Sequence, residues 1–321
     1  MDSNMTSQIN IAGSYKNGSL IIDEVLTCSI DIAGTLLLLL TIVINSLHSA
    51  IIHRLRRQNK NVCTQLLFLM SIHDIGLAAF TLCWRTCLFH GLEVQSHCEY
   101  MVMRSLWHMT GVMRYIILAM ACYDRFVAIC QPYKYSGNRV LNNVTLSLLG
   151  TFLLILVPDT PLLSLQTCQK SANQELLELV RFIFQSLWVT TSLVVIISTI
   201  TLVLQELRRM YKRSDRVQPV PDHTTIRATY LILATGAAFI CCLTPILCTE
   251  LYLMVVNPET LMASQVHQGA LLVFDSYTIF NTAICAVMNK AYQREVRSIC
   301  RCVSRTRRRN TRQVSVAPAQ D

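Results

Sequence analysis

Charge and glycine are both scarce in this sequence. Only 15% of its 321 residues are Asp, Glu, Lys or Arg, and only 10 are glycine. Soluble globular domains carry about 25% charged residues, so the scarcity of charge argues against a soluble protein. The chain also contains no glycine-rich loop of the kind that binds phosphate groups.

Motifs of catalysis are missing as well. The sequence has neither the His-Glu-x-x-His pattern of zinc proteases nor the Gly-x-Ser-x-Gly pattern of serine hydrolases. Two aspartates within apolar segments, Asp74 and Asp275, suggest an intramembrane protease, but neither has the flanking motifs of such an enzyme. We therefore expect that the protein is not an enzyme and needs no cofactor or metal.

Long apolar segments dominate the chain instead. Hydrophobic residues make up 52% of it, and its mean hydropathy is +0.41. A helix of roughly 20 apolar residues crosses the hydrocarbon core of a bilayer while satisfying its own backbone hydrogen bonds. Seven segments meet this requirement: 26–52, 62–88, 99–130, 142–164, 178–205, 227–254 and 268–288. The predicted fold is an all-α bundle of seven transmembrane helices in a lipid bilayer.

Basic residues are concentrated in alternate connections between these segments. The richer side contains Arg54, Arg56, Arg57, Lys60, Lys134, Arg139, Arg208, Arg209, Lys212, Arg213, Arg216, Arg227 and the arginines from Arg305 to Arg312. Because Lys and Arg collect on the cytoplasmic side, we expect the C-terminus to be cytoplasmic and the N-terminus to lie outside. The polar start of the chain has no signal-peptide pattern, so the first span is expected to act as the insertion signal.

The net charge of +9 also raises the possibility of a nucleic-acid partner. The run Arg307-Arg308-Arg309 alone fits that idea. A tail beside a membrane span, however, gains its basicity from orientation and from anionic lipid. We therefore expect contact with the bilayer and no binding of nucleic acid.

Three regions follow from this organisation. Residues 1–25 form an outer tail, residues 26–288 the helical bundle, and residues 289–321 an amphipathic helix with a basic cytoplasmic tail. Glycosylation sequons begin at Asn4 and Asn17, both in the outer tail. Glycosylation is expected at both.

Four of the 14 cysteines lie outside the spans or at their ends in informative positions. Cys98 and Cys168 both face the oxidising side, so the sequence predicts a disulfide between them. Cys300 and Cys302 follow the last span in a basic stretch, where palmitoylation is expected. Most of the others lie within spans as small packing residues.

Placing a strongly polar side chain in the hydrocarbon core costs about 2 to 4 kcal/mol of insertion free energy. Each such residue in a span is therefore a candidate for a structural or functional role. Asn45, Asp74 and Asn281 occur at similar depth in spans one, two and seven. They are predicted to meet through hydrogen bonds or through a shared hydrated ion. The plainer alternative is that each only joins neighbouring helices.

Asp124 and Arg125 stand at the cytoplasmic end of span three. Neighbours on a helix diverge by about 100°, so they do not form the usual i, i+4 pair, but they can still touch at a helix end. If the carboxylate restrains the guanidinium, helix movement would free a cationic donor at the inner face. That pattern indicates a switch rather than a catalyst.

The stretch around this pair, MACYDRFVAICQPYKY from Met120 to Tyr135, resembles the signature Met-Ala-Tyr-Asp-Arg-Tyr-Val-Ala-Ile-Cys-x-Pro of odorant receptors. The sequence has one residue more than this signature, because Cys122 stands between Ala121 and Tyr123. Odorant receptors belong to the rhodopsin-like (class A) G-protein-coupled receptors. The wider resemblance to that superfamily extends from Asn45 through Pro245 to Asn281.

This resemblance implies a chemosensory receptor of the plasma membrane that couples to a heterotrimeric G protein. It implies that Asp124 holds Arg125 in the resting state, and that Arg125 faces the G protein when the bundle opens. Tyr133 would lie against the same partner. Arrestin and a receptor kinase are further partners that the resemblance implies.

The sequence also departs from the superfamily pattern. Span seven reads Asn281-Thr-Ala-Ile-Cys285 where Asn-Pro-x-x-Tyr is usual, and span six has Leu243 in place of a tryptophan. Pro245 is kept and is predicted to act as a hinge, because proline removes one backbone hydrogen bond. The chain also lacks the Pro-Met-Tyr at the start of span two and the Ser-His pair in span six of typical mammalian odorant receptors, so it resembles a divergent, fish-type chemosensory branch. A class A receptor for a peptide, a lipid or another messenger is the alternative, and a transporter is a remote one because no internal repeat is visible.

A small ligand of such a receptor would lie in the outer half of the bundle. The residues that climb from Arg125 toward the outside, or lie in the facing spans, are Arg104, Trp107, His108, Gly111, Glu250 and Asp275. His108 and Trp107 also have an ordinary reading as packing residues. Asp275 needs a cation, which could be an internal arginine, Arg104 or Arg114, or an ammonium group of a ligand.

Overall fold

The computed structural model describes residues 3–58, 62–89, 97–135, 143–155, 174–213, 223–256, 261–299 and 301. At the outer ends of several helices it describes the backbone alone. Every regular element in these ranges is helical. We number them α1 (Ser3–Gln58), α2 (Val62–Phe89), α3 (His97–Cys130), α4 (Pro132–Tyr135), α5 (Val144–Ile155), α6 (Gln174–Arg213), α7 (His223–Val256), α8 (Leu261–Met288) and α9 (290–299).

Five of these helices contain stretches that are long and apolar enough to cross a membrane. The stretches are Val25–Gln58, Val62–Thr86, Ser186–Lys212, Thr225–Leu253 and Gln265–Met288. They agree with the predicted spans one, two, five, six and seven to within several residues. A shorter apolar helix, α5, lies within the predicted fourth span.

The third predicted span corresponds to α3, which packs against α2, α6 and α7. Its buried face includes the charged side chains of Arg114, Asp124 and Arg125, none more than 4% exposed. A helix surrounded by other helices can carry such groups because protein, rather than lipid, provides their partners. α3 therefore carries these three charged side chains in the interior of the bundle.

The outer surface of the bundle is apolar. Large side chains such as Leu47, Leu251 and Val287 are 63%, 64% and 74% exposed. Isolated exposed apolar residues are normal in soluble proteins, but a surface of this kind on α1, α6, α7 and α8 is suited to acyl chains. The all-α, seven-helix fold class predicted from the sequence is confirmed, and the side on which each terminus lies stays a prediction.

The last span ends at Met288, and a short helix follows it. Asn289 is not helical, and its side-chain Oδ1 accepts hydrogen bonds from the backbone N–H groups of Ala291 at 3.0 Å and Tyr292 at 3.2 Å. This is the N-cap arrangement that starts a helix. α9 then packs against α1 through Tyr292, whose hydroxyl lies 3.1 Å from Nδ1 of the buried His48.

Candidate functional site

Asp124 and Arg125 are in direct contact near the C-terminal end of α3, which is the end predicted to be cytoplasmic. The Arg125 guanidinium donates from Nε to Asp124 Oδ2 at 2.8 Å, and its Nη2 donates to the same oxygen. Asp124 is fully buried and Arg125 is 4% exposed. Because the long arginine side chain folds back along the helix end, two neighbours that point about 100° apart still form an ion pair.

Tyr135 is a third member of this group, and sequence reasoning missed it. Its hydroxyl donates to Asp124 Oδ1 at 3.0 Å, so the carboxylate is held through both oxygens. Burial, with the nearby charge of Asp124, raises the pKa of Tyr135 to about 12, so the hydroxyl keeps its proton at neutral pH. A tyrosine three residues after Pro132, at the end of the quoted motif, was the available signal.

The tyrosine singled out from the sequence, Tyr133, has a different position. Its side chain is 76% exposed, and the Lys134 Nζ lies 5.6 Å from its ring centroid. The short helix α4 explains the difference, since residues two positions apart on a helix point to opposite sides. Tyr135 therefore turns inward toward Asp124, while Tyr133 is available at the surface.

The three interior polar residues Asn45, Asp74 and Asn281 are all fully buried. Asn45 Nδ2 donates to the Thr41 carbonyl of its own helix at 3.0 Å. Asn281 Oδ1 accepts from Thr235 Oγ1 at 3.4 Å. Within the described residues no hydrogen bond joins the three directly, so the connected network expected from the sequence is not seen in that form.

Asp74 has an arginine as its partner instead. Arg114 Nε donates to Asp74 Oδ1 at 3.1 Å, and the guanidinium lies 5.3 Å from the centroid of the Phe274 ring. His73 Nδ1 is 3.5 Å from the same Asp74 oxygen, while its Nε2 donates to the Thr110 carbonyl at 2.7 Å. The sequence placed Arg114 among possible partners of Asp275, and its contact with Asp74 was not foreseen.

An aromatic cluster joins α3, α7 and α8 next to this ion pair. Phe239 makes edge contacts with Tyr115 and Tyr277 at centroid distances of 5.0 Å each, and with Phe274 at 5.7 Å. Tyr115 and Phe274 are stacked at 6.2 Å. The cluster lies between the predicted hinge at Pro245, which is inside α7, and the inner end of the bundle. Nothing in the sequence alone showed that these rings meet.

The outer half of the bundle contains three of the expected ligand residues with described surroundings. A side chain built at Gly111 would meet no described atom within 4 Å. Glu250 is about half exposed, and its Oε1 lies 3.6 Å from Nε2 of His267, so the pair bridges α7 and α8. Asp275 forms no ion pair within 4 Å among the described residues, although Arg114 and Arg85 are near enough to influence it electrostatically.

Arg85 was not foreseen as a group of this region. Its Nη1 lies where a Cβ atom at position 34 would be crowded, so Gly34 of α1 leaves room for the guanidinium of α2. The buried Nη1 has no hydrogen-bond partner among the described atoms. The interior of the bundle therefore contains cationic groups on both α2 and α3.

Several other predicted sites lie outside the part of the chain whose side chains are described. They are Arg104, Trp107, His108, Cys98, Cys168, Asn4, Asn17, Cys300 and Cys302. The backbone of the first three and of Cys98 belongs to α3, and that of the two sequon asparagines to α1. Ligand contacts, disulfide, glycosylation and palmitoylation at these positions stay predictions.

Together, the long apolar helices and the buried charges of the central helix define a multi-helix membrane protein with a buried ion pair at one end of that helix. A model of the 7 transmembrane receptor (rhodopsin family) matches residues 44–284. The chain belongs to this family. It is therefore a multi-pass membrane receptor of the class A G-protein-coupled type, a signalling protein rather than an enzyme, with a G protein and a small ligand as its partners.

The solved structures contain a similar fold. The crystal structure of squid rhodopsin matches with a TM-score of 0.65 and 12% sequence identity, covering 88% of this chain and 87% of the other. At this identity the similarity shows the fold alone. No curated protein is significantly similar to this sequence.

Proposed function

We propose that the protein is a chemosensory receptor of the odorant-receptor type in the plasma membrane. In this proposal a small ligand binds in the outer half of the bundle and the inner half activates a heterotrimeric G protein. Support comes from the motif Met120–Tyr135, whose residues resemble the odorant-receptor signature more closely than the general superfamily pattern. Arrestin and a receptor kinase would be the further partners of such a receptor.

The inner switch consists of Asp124, Arg125 and Tyr135. The observation that carries the proposal is that both oxygens of one buried carboxylate are engaged, one by the guanidinium and the other by the tyrosine hydroxyl. A buried guanidinium held in this way cannot reach an incoming partner. When the helices separate, Arg125 becomes the donor that meets the G protein, and the exposed Tyr133 lies beside it.

The ligand end is linked to this switch through α7 and α8. Ligand contacts near Gly111, Glu250 and Asp275 would favour the open arrangement, since only a difference in affinity between two states shifts their populations. Pro245 inside α7 supplies the hinge, because it donates no backbone hydrogen bond. The aromatic cluster around Phe239 passes the movement to the inner half.

A ligand screen tests the proposal most directly. Cells expressing the chain with a promiscuous G protein are exposed to panels of volatile compounds, amino acids, small acids, lipids and peptides. A dose-dependent response to a volatile or another small environmental compound is expected. A response restricted to a peptide or to an endogenous lipid would replace the odorant assignment by the alternative class of messenger receptor.

Two arginine variants check the assigned switch in the same cells. Arg125→Ala is expected to abolish the response while surface expression is retained. Arg57→Ala removes an exposed arginine at the inner end of α1 and is the matched control, with an unchanged response expected. Full signalling by Arg125→Ala would show that Arg125 is not needed for activation of the G protein.

A further inference from the structure

The interior carboxylate of Asp74 requires a positive charge nearby. Its side chain is fully buried in α2, where an unpaired ionised carboxylate is strongly unfavourable. The sequence left two ways to satisfy it: hydrogen bonds with Asn45 and Asn281, or a hydrated ion shared by the three residues. These two possibilities make different demands on the surrounding side chains.

The described residues do not fit a mobile cation. Asp74 Oδ1 already accepts from Arg114 Nε, and the fixed positive charge of this guanidinium would repel a second cation beside it. Asn281 Oδ1, which would be a neutral ligand, accepts from Thr235 instead. No group of three or more His, Cys, Asp or Glu side chains in the described ranges could hold a metal ion.

Arg114 is held in this position by more than one helix. It belongs to α3, its acceptor Asp74 belongs to α2, and its guanidinium lies over the Phe274 ring of α8. Only 3% of its surface is exposed. A guanidinium that is fixed by a carboxylate on one side and an aromatic ring on another does not exchange with solvent ions.

The remaining hydrogen-bonding capacity around the pair suits water. The buried polar atoms that have no hydrogen-bond partner among the described atoms include Asn45 Oδ1, Asp74 Oδ2, Arg114 Nη1 and Tyr277 Oη. Two of these atoms accept only, one donates only, and the tyrosine hydroxyl can do both. Water molecules, which donate and accept, match this mixed set, whereas a cation would find only the acceptors.

We propose that Arg114 is a built-in counter-ion, which occupies the place beside Asp74 where a receptor interior would otherwise recruit a monovalent cation. The resting bundle therefore keeps its interior charge balance at any sodium concentration. Removing the guanidinium while keeping Asp74 opens the carboxylate to a sodium ion. The inference concerns the ionic state of the interior and does not depend on the identity of the ligand.

Thermal unfolding of the full-length receptor in lipid nanodiscs tests this. Sodium chloride replaces N-methyl-D-glucamine chloride at constant ionic strength, so general screening stays the same. The natural chain is expected to keep its unfolding midpoint within about 1 °C over the whole series, because no site is available for sodium. A saturable rise that disappears in the Asp74→Asn variant would overturn the proposal.

The variant Arg114→Gln is expected to behave differently. Its midpoint should lie below that of the natural chain without sodium and rise in a saturable way as sodium is added, since binding to the folded state alone stabilises it. The double variant Asp74→Asn/Arg114→Gln should lose this rise. If Arg114→Gln folds and shows no response to sodium, the assigned position of the counter-ion is wrong.

The measurement remains decisive when Arg114→Gln does not fold, because the natural chain and Asp74→Asn answer the question on their own. The charge-swapped variant Asp74→Arg/Arg114→Asp adds an independent check. It should unfold at a higher temperature than either single reversal, since only the pair restores opposite charges. Neither readout uses a G protein or a ligand, so a failure here is distinct from a failure of the proposed function.

Discussion

At the scale of single residues, the proposed switch rests on how completely one carboxylate is engaged. Asp124 accepts from Arg125 at one oxygen and from Tyr135 at the other. The adjacency of Asp124 and Arg125 made their contact predictable from the sequence. The part played by Tyr135 was not predictable in the same way, because it depends on how α4 turns back against α3.

Replacing Tyr135 by phenylalanine is expected to raise signalling in the absence of ligand. The change removes one hydrogen bond to a charged acceptor, worth about 1.5 to 3 kcal/mol, from the resting arrangement. Since about 1.4 kcal/mol corresponds to a tenfold change in an equilibrium, the ratio of active to resting receptor should increase about tenfold or more. Nucleotide exchange on a purified G protein measures it. Tyr133→Phe is the control, because Tyr133 is exposed and should leave the basal rate unchanged.

The same contact has a defined pH dependence. The pKa of Tyr135 is raised from 10 to about 12 in the folded protein, so folding favours the protonated hydroxyl. Its contribution is complete below the ordinary value and is lost only as the pH rises through about 10 to 12. The ratio of basal activity between Tyr135→Phe and the natural chain should therefore be constant from about pH 6 to 8. A ratio that changes steeply in this range would contradict the assigned hydrogen bond.

At the scale of helices, α9 is joined to the bundle by a cap and a buried contact. Asn289 caps its first turn, and Tyr292 reaches His48 on α1. Burial raises the pKa of Tyr292 to about 12, so its hydroxyl is protonated and can donate to the imidazole at neutral pH. The cap and the contact between Tyr292 and His48 therefore fix the direction of α9 relative to α1.

Loss of the cap should loosen α9 while leaving the spans intact. Asn289→Ala removes the acceptor of two backbone N–H groups and is expected to cost about 1 kcal/mol of helix stability. Amide hydrogen exchange over residues 290–299 should then be about five times faster. Lys290→Ala changes an exposed neighbour and serves as the control. Equal exchange in the two variants would argue against the cap.

At the scale of the whole molecule, the fold was predictable from the apolar segments. The contacts between side chains in the interior were not predictable. Length and hydropathy were enough for a seven-helix bundle because a membrane span needs a nearly continuous apolar segment. The pairing of Asp74 with Arg114 depends on how α2 and α3 are rotated relative to each other. Likewise, the contacts of Phe239 with Tyr115 and Tyr277 join residues far apart in sequence. Single-sequence patterns do not encode such rotations.

Orientation is a property of the whole chain, and we expect the N-terminus outside. The basic residues at the inner ends of the spans support this through the positive-inside rule. An epitope tag before Asn4 should be reached by antibody on intact cells, while a tag after Asp321 should require permeabilised membranes. Asn4→Gln and Asn17→Gln should each reduce the mass of the mature protein by one glycan. Labelling of the C-terminal tag on intact cells would show that the predicted topology is wrong.

In the proposed mechanism a buried carboxylate restrains Arg125 until the bundle opens. The most direct test is ligand-independent nucleotide exchange catalysed by the purified receptor carrying Asp124→Asn, compared with the natural chain at equal amounts of folded protein. The neutral amide keeps the size of the side chain and removes the charge that attracts the guanidinium. If Asp124 restrains Arg125, the basal exchange rate of this variant should be at least several-fold above that of the natural chain. An unchanged or lower rate, from a receptor that still unfolds cooperatively, would contradict it.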